Sequence, residues 1–201
     1  MKTLHTIGDL TAVFDALDQH LDARELDARI QLVGDGAMML SHQYTEPVLN
    51  LAPATIATPA IAAFSECLDA TTEQLGLDPS FFNENEASRL FGGSFPTGPD
   101  TTAYQGDRLV IETPSAAYMI YHRISTPFPS DKDILDAAHL CRVNHISATT
   151  QLEHHLTEHH NAPDFAPRQH RDTINTVIQQ LDANLQPIAL SPEPQGEAIE
   201  L

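Results

Sequence analysis

Positive charge is scarce in this chain. Its 201 residues include 10 lysines and arginines against 28 aspartates and glutamates, and the formal net charge at pH 7 is −18. A field of that sign repels nucleic-acid phosphates and anionic membranes, which argues against non-specific binding to either. No lysine or arginine occurs between Arg29 and Arg89. A nucleotide site would therefore need a local group of basic residues from other parts of the chain.

Long apolar runs and cysteines are also rare. No uninterrupted apolar run approaches the ~20 residues of a membrane span, and the N-terminal MKTLHTIGDL lacks the apolar core of a signal peptide. We therefore expect a cytoplasmic protein that does not enter a membrane. The two cysteines, Cys67 and Cys141, each fall in a helical apolar pattern. We expect two buried free thiols, although the sequence alone leaves a disulfide open.

The apolar residues that are present follow recognisable periods. They make up 41% of the sequence, which is enough for a core. Three-to-four spacing predicts a helix from Ile7 to Leu21, and a continuous run predicts a strand from Ile30 to Val33. A second strand is expected at Val48 to Leu51. The segment Leu51 to Thr58 then reads as a loop, with Thr58 as the cap of the next helix.

The second half of the chain reads as a hairpin followed by helices. Residues 103–112 predict two short strands around a turn at Gln105-Gly106-Asp107. Helical patterns follow through Ile124, from a cap at Asp131 to about Val143, and in two later stretches. The sequence therefore predicts an α+β fold: a small mixed β-sheet flanked by helices at 1–125, a helical subdomain at 126–186 and an acidic, disordered tail at 187–201.

A glycine turn, Gly34-Asp35-Gly36, connects the first strand to a short helix. Its backbone amides could form an anion-binding nest at the helix N-terminus. Alternatively, the glycines are simply what a strand-to-helix turn needs, and Asp35 caps the helix and occupies the same amides. The structural alternative is favoured, and Gly34, Asp35 and Gly36 stay as ligand-binding candidates.

A histidine-rich stretch, EHHLTEHH, runs from Glu153 to His160. Within it, His155, Glu158 and His159 match H-x-x-E-H, the zinc motif of inverted metalloproteases. Spacing of four places two imidazoles on one helix face, as zinc binding requires. A hydrolytic site needs a further protein ligand, and only 42 residues follow His159. A solvated helix face explains the stretch more simply, with His155 and His159 kept as metal-ligand candidates.

A second polar group opens the helix that begins near residue 131. Asp133 and Asp136 are three residues apart, and carboxylates in a first turn are favoured by the helix dipole. Capping and packing explain them more simply than a substrate role, and Lys132, Asp133 and Asp136 are retained as ligand-binding candidates. Whether Arg123, Lys132 and Arg142 converge into a basic spot is a tertiary question that the sequence leaves open.

In four patches the sequence resembles a bacterial family of nucleotidyltransferase-like proteins within the polymerase-beta-like superfamily. The patches span about residues 5 to 160 in the expected order. They are LVGDGAMML (Leu32 to Leu40), GLDPSFFNE (Gly76 to Glu84), RLVIETPSAAYMIYHRIS (Arg108 to Ser125) and KDILDAAHL (Lys132 to Leu140).

The resemblance also implies what this chain has lost. Such transferases hold two metal ions with two aspartates, one residue apart on the second strand, and the metals activate the attacking oxygen and neutralise the leaving phosphate. Pro47 and Leu49 align with those two positions, and neither side chain binds a cation. Asp35 adds negative charge where phosphate would approach, while Glu112 is a surviving third carboxylate and a further ligand-binding candidate. The resemblance therefore implies a catalytically impaired relative.

Three functional hypotheses follow. The first is a nucleotidyltransferase-like protein that needs no cofactor and binds a nucleotide or a protein partner, in the toxin–antitoxin or phage-defence setting of some members of the superfamily; an acidic surface suits a basic partner. The second is an active transferase with relocated carboxylates at Asp35, Glu46 and Glu112, which would require Mg²⁺ or Mn²⁺. The third is a zinc-dependent hydrolase built on the histidine-rich helix.

Overall fold

One four-stranded sheet and seven helices make up the described part of the chain. The computed structural model describes residues 3–83, 101–125, 128–159 and 170–183, so the predicted tail at 187–201 lies outside the described residues. The predicted α+β class is confirmed. In chain order the elements are α1 (Ile7–Asp22), β1 (Ala28–Val33), α2 (Gly34–Ser41), β2 (Ala52–Ala57), α3 (Ile61–Leu75), β3 (Thr101–Gln105), β4 (Leu109–Thr113), α4 (Ala116–Ile124), α5 (Asp131–Val143), α6 (Thr149–His159) and α7 (Arg171–Ala183).

The sheet is mixed and has the strand order β2-β1-β4-β3. Its two central strands, β1 and β4, run parallel, with Ile30 opposite Ile111. The edge strands β2 and β3 pair antiparallel with β1 and β4 respectively. Because β1 and β4 are parallel, their carboxyl ends meet at one edge of the sheet, and α2 and α4 both begin there.

The prediction for the second strand was wrong. The segment expected to be a loop contains β2, while Val48 makes only an isolated bridge to Leu4 and Leu51 an isolated bridge to Phe82. Pro53 suggested a loop because proline cannot donate to a ladder, but β2 is an edge strand, where proline is tolerated.

Side chains cap the N-termini of α1 and α5, and the N-cap residues of α3 and α5 differ from those predicted. Thr6 and Asp9 form a capping box at the start of α1. At α3 the N-cap residue is Ala60 rather than Thr58, and at α5 it is Ser130 rather than Asp131. Both caps predicted at α3 and α5 were therefore misplaced, by two residues and by one, which is the usual uncertainty of a helix boundary.

One apolar core joins both predicted regions of the chain. The inward face of the sheet, which includes Ile30 and Ile111, packs with Phe14, Phe64 and side chains as late as Leu181. The predicted boundary near residue 125 stays a prediction. Both cysteines are buried and free, in agreement with the sequence-based expectation. Among the residues that the structure describes, no helix is long and apolar enough to cross a bilayer.

The β3–β4 turn is fixed to α1 by a carboxylate. Asp18 accepts hydrogen bonds from the backbone amides of Asp107 (3.0 Å), Arg108 (2.8 Å) and Leu109 (2.7 Å). A Cβ on Gly106 would lie 2.5 Å from the Asp18 carboxyl carbon, so a larger residue there would displace the carboxylate that holds the turn. This contact sets the position of the hairpin against α1.

We expect Asp18→Ala to lower the free energy of unfolding by roughly 2 kcal/mol, because three backbone amides lose a charged acceptor. Asp69→Ala is the matched control, since Asp69 is an exposed carboxylate on α3. Urea unfolding monitored by circular dichroism measures both. Equal losses in the two variants would contradict the role given to Asp18.

Candidate functional site

The carboxyl edge of the sheet carries a group of charged side chains from three helices. Gly34 begins α2 with a φ of 70°, a left-handed conformation that glycine adopts without strain. The first turn of α5 approaches this turn, and the last turn of α4 lies beside both. We call the group formed here by Asp35, Tyr44, Arg123, Lys132, Asp133 and Asp136 the charged cluster.

Arg123 is the centre of the charged cluster. Its Nη1 lies 3.0 Å from Asp133 Oδ1, and its Nη2 lies 2.9 Å from Asp136 Oδ2 and 3.7 Å from Asp35 Oδ1. Nη2 also contacts the sulfur of Met38 at 3.9 Å. Arg123 is 9% exposed and Asp136 1% exposed, so this pair is almost removed from water. A buried guanidinium of this kind depends on its carboxylates, because an unpaired buried charge is strongly unfavourable.

Lys132 adds a second cation at the solvent side. Its Nζ lies 3.1 Å from Asp35 Oδ1, 3.1 Å from Asp136 Oδ2 and 3.0 Å from the Tyr44 hydroxyl. That hydroxyl in turn donates to Asp136 Oδ1 at 2.8 Å. The Lys132 side chain remains 54% exposed and that of Asp35 32% exposed, so these two residues form the accessible rim.

Lys132 and Tyr44 of the charged cluster both remain protonated at neutral pH. Burial opposes the charged form of Lys132, but the hydrogen bond with Tyr44 and the charges of Asp136 and Asp35 raise its pKa above the ordinary value. Burial, together with the hydrogen bond to Asp136 and its charge, raises the pKa of Tyr44 to about 12, and the opposing contact with Lys132 does not cancel this effect. Neither group can therefore act as a general base or nucleophile near pH 7. The Tyr44 and Lys132 side chains are therefore unsuited to proton abstraction at this pH.

Asp133 has two roles. Burial opposes its charged form, yet hydrogen bonds from Ser130 and the charge of Arg123 hold the pKa of Asp133 below its ordinary value. The Ser130 side chain and Asp133 also form the capping box of α5. The capping explanation given by the sequence is thus confirmed for Asp133, and the same carboxylate supports Arg123.

The glycine turn has mainly a packing role in this structure. The predicted cap by Asp35 was wrong: α2 has Val33 at its N-cap and no side-chain cap hydrogen bond, and the Asp35 carboxylate instead faces Lys132. Gly36 is buried, and a Cβ there would meet the Leu51 side chain at 2.5 Å. A larger residue at position 36 would therefore force the buried Leu51 side chain to move.

Two other predicted residues lie outside the charged cluster. Glu112 is on β4, where its carboxylate pairs with Arg29 of β1. Arg142 is exposed near the end of α5, about 15 Å along the helix from Lys132. Arg123 and Lys132 do converge, although on carboxylates and not as a free basic spot. Tyr44, which no sequence motif indicated, joins Lys132 to Asp136.

The carboxylate positions implied by the resemblance hold no acid. Pro47 and Leu49 are exposed and precede β2. Because the strand begins later than predicted, the relevant comparison is β2 itself, which reads APATIA and contains no carboxylate. The absence of an acidic pair therefore does not depend on which of the two segments is aligned.

The histidine-rich stretch forms α6. His155 is half-buried in this helix, and the exposed His154 lies 3.2 Å from Glu158. The side chain of His159 lies outside the described part of the chain. Within the described ranges, no group of three or more His, Cys, Asp or Glu side chains is arranged to hold a metal ion.

A cleft of about 440 Å³ lies at the opposite edge of the sheet, where β1 and β4 begin. Its lining includes Arg29 and Arg108, together with Asp27 and Asp107. Arg108 is paired with Asp22 and Asp27, and Arg29 with Glu112. The charges of this cleft are thus balanced by neighbours, and they identify no ligand class.

Comparison of the chain with family models, with curated proteins and with solved structures gives no match.

Arg123→Met should lower the free energy of unfolding by about 3 kcal/mol, because Asp133 and the buried Asp136 lose their shared cation. Lys132→Met should cost only about 1 kcal/mol, since half of that side chain is in water. Urea titrations of the two variants and the parent protein provide the comparison. Equal losses would show that Arg123 is not the central cation.

Proposed function

We propose that this chain is a nucleotidyltransferase-like protein that acts by binding a protein partner and does not transfer nucleotides. Three of the four patches that carry the family resemblance lie next to one another in the fold, and this supports the proposal. Asp35 comes from the first patch, Arg123 from the third and Lys132 from the fourth, and all three residues contact one another directly or through Asp136. Segments more than 90 residues apart in sequence thus build one site at the carboxyl edge of the sheet.

The chemistry of the charged cluster argues against catalysis. Phosphoryl transfer with two metals needs carboxylates that are available to the cations. β2 supplies no acid, and the acids that do converge, Asp35, Asp133 and Asp136, are engaged by Arg123 and Lys132. An internal guanidinium and ammonium take the positions around these carboxylates that metal ions would need. The main support for the proposal is therefore that internal cations already pair with these carboxylates.

A basic protein surface suits the site better than a nucleotide does. The cluster has three carboxylates and two cations, so its net charge is −1 within a chain of formal charge −18. A triphosphate would have to separate Lys132 from Asp35 or Asp136 to obtain a cation. A lysine or arginine of a partner could instead approach the partly exposed Asp35 carboxylate, whose contacts with Arg123 and Lys132 both use Oδ1, and charge complementarity of this kind also speeds association.

The two alternatives receive less support. A transferase with relocated carboxylates would need Asp35, Glu46 and Glu112 together, but Asp35 contacts Lys132 and Glu112 contacts Arg29. A zinc hydrolase would need ligands in addition to the histidines of α6. No contact among the described residues of the chain favours either alternative.

For the test, we expect purified protein to transfer no label from nucleoside triphosphates in the presence of Mg²⁺ or Mn²⁺. Calorimetric titration with ATP, GTP, CTP and UTP should give no binding. Tagged protein isolated from its native host should carry one stoichiometric protein partner. Asp35→Asn should weaken that complex by about tenfold, because a partner cation loses a charged hydrogen bond worth about 1.4 kcal/mol.

Asp69→Asn is the matched control, because it removes an equivalent charge from the exposed face of α3. Its complex should keep the parent affinity. If the parent protein transferred nucleotides and Glu112→Ala did not, the active-transferase alternative would be correct instead. Nucleotide binding without transfer would replace the protein partner with a nucleotide, and stoichiometric zinc lost in His155→Ala would favour the hydrolase.

A further inference from the structure

A buried imidazole lies at the other end of α2. His42 follows the last residue of that helix and is 9% exposed. Its ring hydrogen-bonds to the backbone of Pro114, which must be the carbonyl because proline has no N–H. The second ring nitrogen, Nε2, is buried and has no hydrogen-bond partner among the residues that the structure describes. The ring is therefore neutral, with Nδ1 as the donor and Nε2 as a bare acceptor.

The neighbours of His42 connect it to the charged cluster. His139 of α5 donates from Nε2 to the His42 carbonyl oxygen at 2.7 Å. The His139 ring makes an edge contact with Tyr44, with centroids 5.3 Å apart. Tyr44 then contacts Lys132 and Asp136, as described above. A continuous series of contacts thus leads from the end of α2 through α5 to the cluster.

Protonation of His42 would create two unfavourable features at once. The new N–H at Nε2 would be a buried donor without an acceptor among the described residues, which is unfavourable. The new positive charge would face His139 from α5 and the Pro114 carbonyl from the β4–α4 connection; no carboxylate of the described residues contacts the ring. When the ring is exposed to water, the water accepts the new hydrogen bond and solvates the positive charge, so both unfavourable features are removed.

The direction of the pH effect follows from these contacts. Burial, more than the opposing Pro114 hydrogen bond, lowers the pKa of His42 below its ordinary 6.5, and the proximity of His139 lowers it further. The open or unfolded chain therefore binds a proton at a pH where the closed structure does not. His42 contributes its full stabilisation of the closed form above about pH 6.5, and the closed form loses stability as the pH falls below that value.

We propose that His42 and His139 form an acid-sensitive latch between α2 and α5, which opens when His42 binds a proton and thereby loosens the charged cluster. The latch concerns a contact within the chain, so it stands whether or not a partner binds at the cluster. Its opening exposes the end of α2, separates His139 from the His42 carbonyl and frees Tyr44 from its ring contact.

Hydrogen–deuterium exchange at pH 7 and pH 5 tests the latch in the full chain. After correction for intrinsic rates, amides at the end of α2 and in α5 should exchange about tenfold faster at pH 5, whereas α1 and α3 should change little. The His42 and Tyr44 amides, which both donate to the Met38 carbonyl, are direct reporters. His42→Asn keeps a donor for Pro114 and cannot be protonated, so it should abolish the acid-induced acceleration.

His154→Asn is the matched control, because its imidazole is on an exposed face of α6. This variant should respond to acid as the parent protein does. If His42→Asn fails to fold, the parent's His42 ring resonances serve instead, and His42 should titrate together with the opening of α2 and α5. An acid response that is uniform over the chain, that persists in His42→Asn, or that precedes His42 titration would overturn the latch.

Discussion

The Arg123 guanidinium holds three helices together at one edge of the sheet. It comes from α4, two of its carboxylates come from α5 and the third from α2. Such a buried cation is not a simple source of stability, since an apolar substitute for the whole group can be equally stable. Its value is geometric: in the observed arrangement every carboxylate and both cations of the cluster are paired. The relative positions of the glycine turn and of the first turn of α5 depend on that arrangement.

The same constraint separates binding from catalysis. Carboxylates that already share two internal cations are poor ligands for a divalent ion, because binding would leave a buried guanidinium without partners. Lys132 retains its proton because Tyr44, Asp136 and Asp35 stabilise its charge, and Tyr44 retains its proton mainly because it is buried. A site of this kind presents a fixed pattern of charges to solvent. Recognition of another charged surface uses such a pattern directly, whereas phosphoryl transfer would first have to dismantle it.

Much of the site was visible in the sequence, but only as separate residues. Asp35, Lys132, Asp133 and Asp136 were predicted because each lies at a helix start, where local rules apply. Their convergence depends on the parallel pairing of β1 and β4 and on the packing of α5, which no local pattern encodes. Arg123 and Tyr44 acquire their importance only from that tertiary arrangement. The strand β2 was missed for a related reason, since whether proline is acceptable depends on the strand being at an edge.

Pro53 has one more consequence for the molecule as a whole. An edge strand offers its free backbone groups to any extended chain that meets it, and this is a common beginning of aggregation. Pro53, which is paired with Leu32 next to the register shift of this ladder, removes one backbone N–H donor from the edge strand β2. An incoming strand would meet a missing N–H and a bulky ring. A proline on an edge strand is one of the features that discourage pairing with another chain, and β2 has this feature.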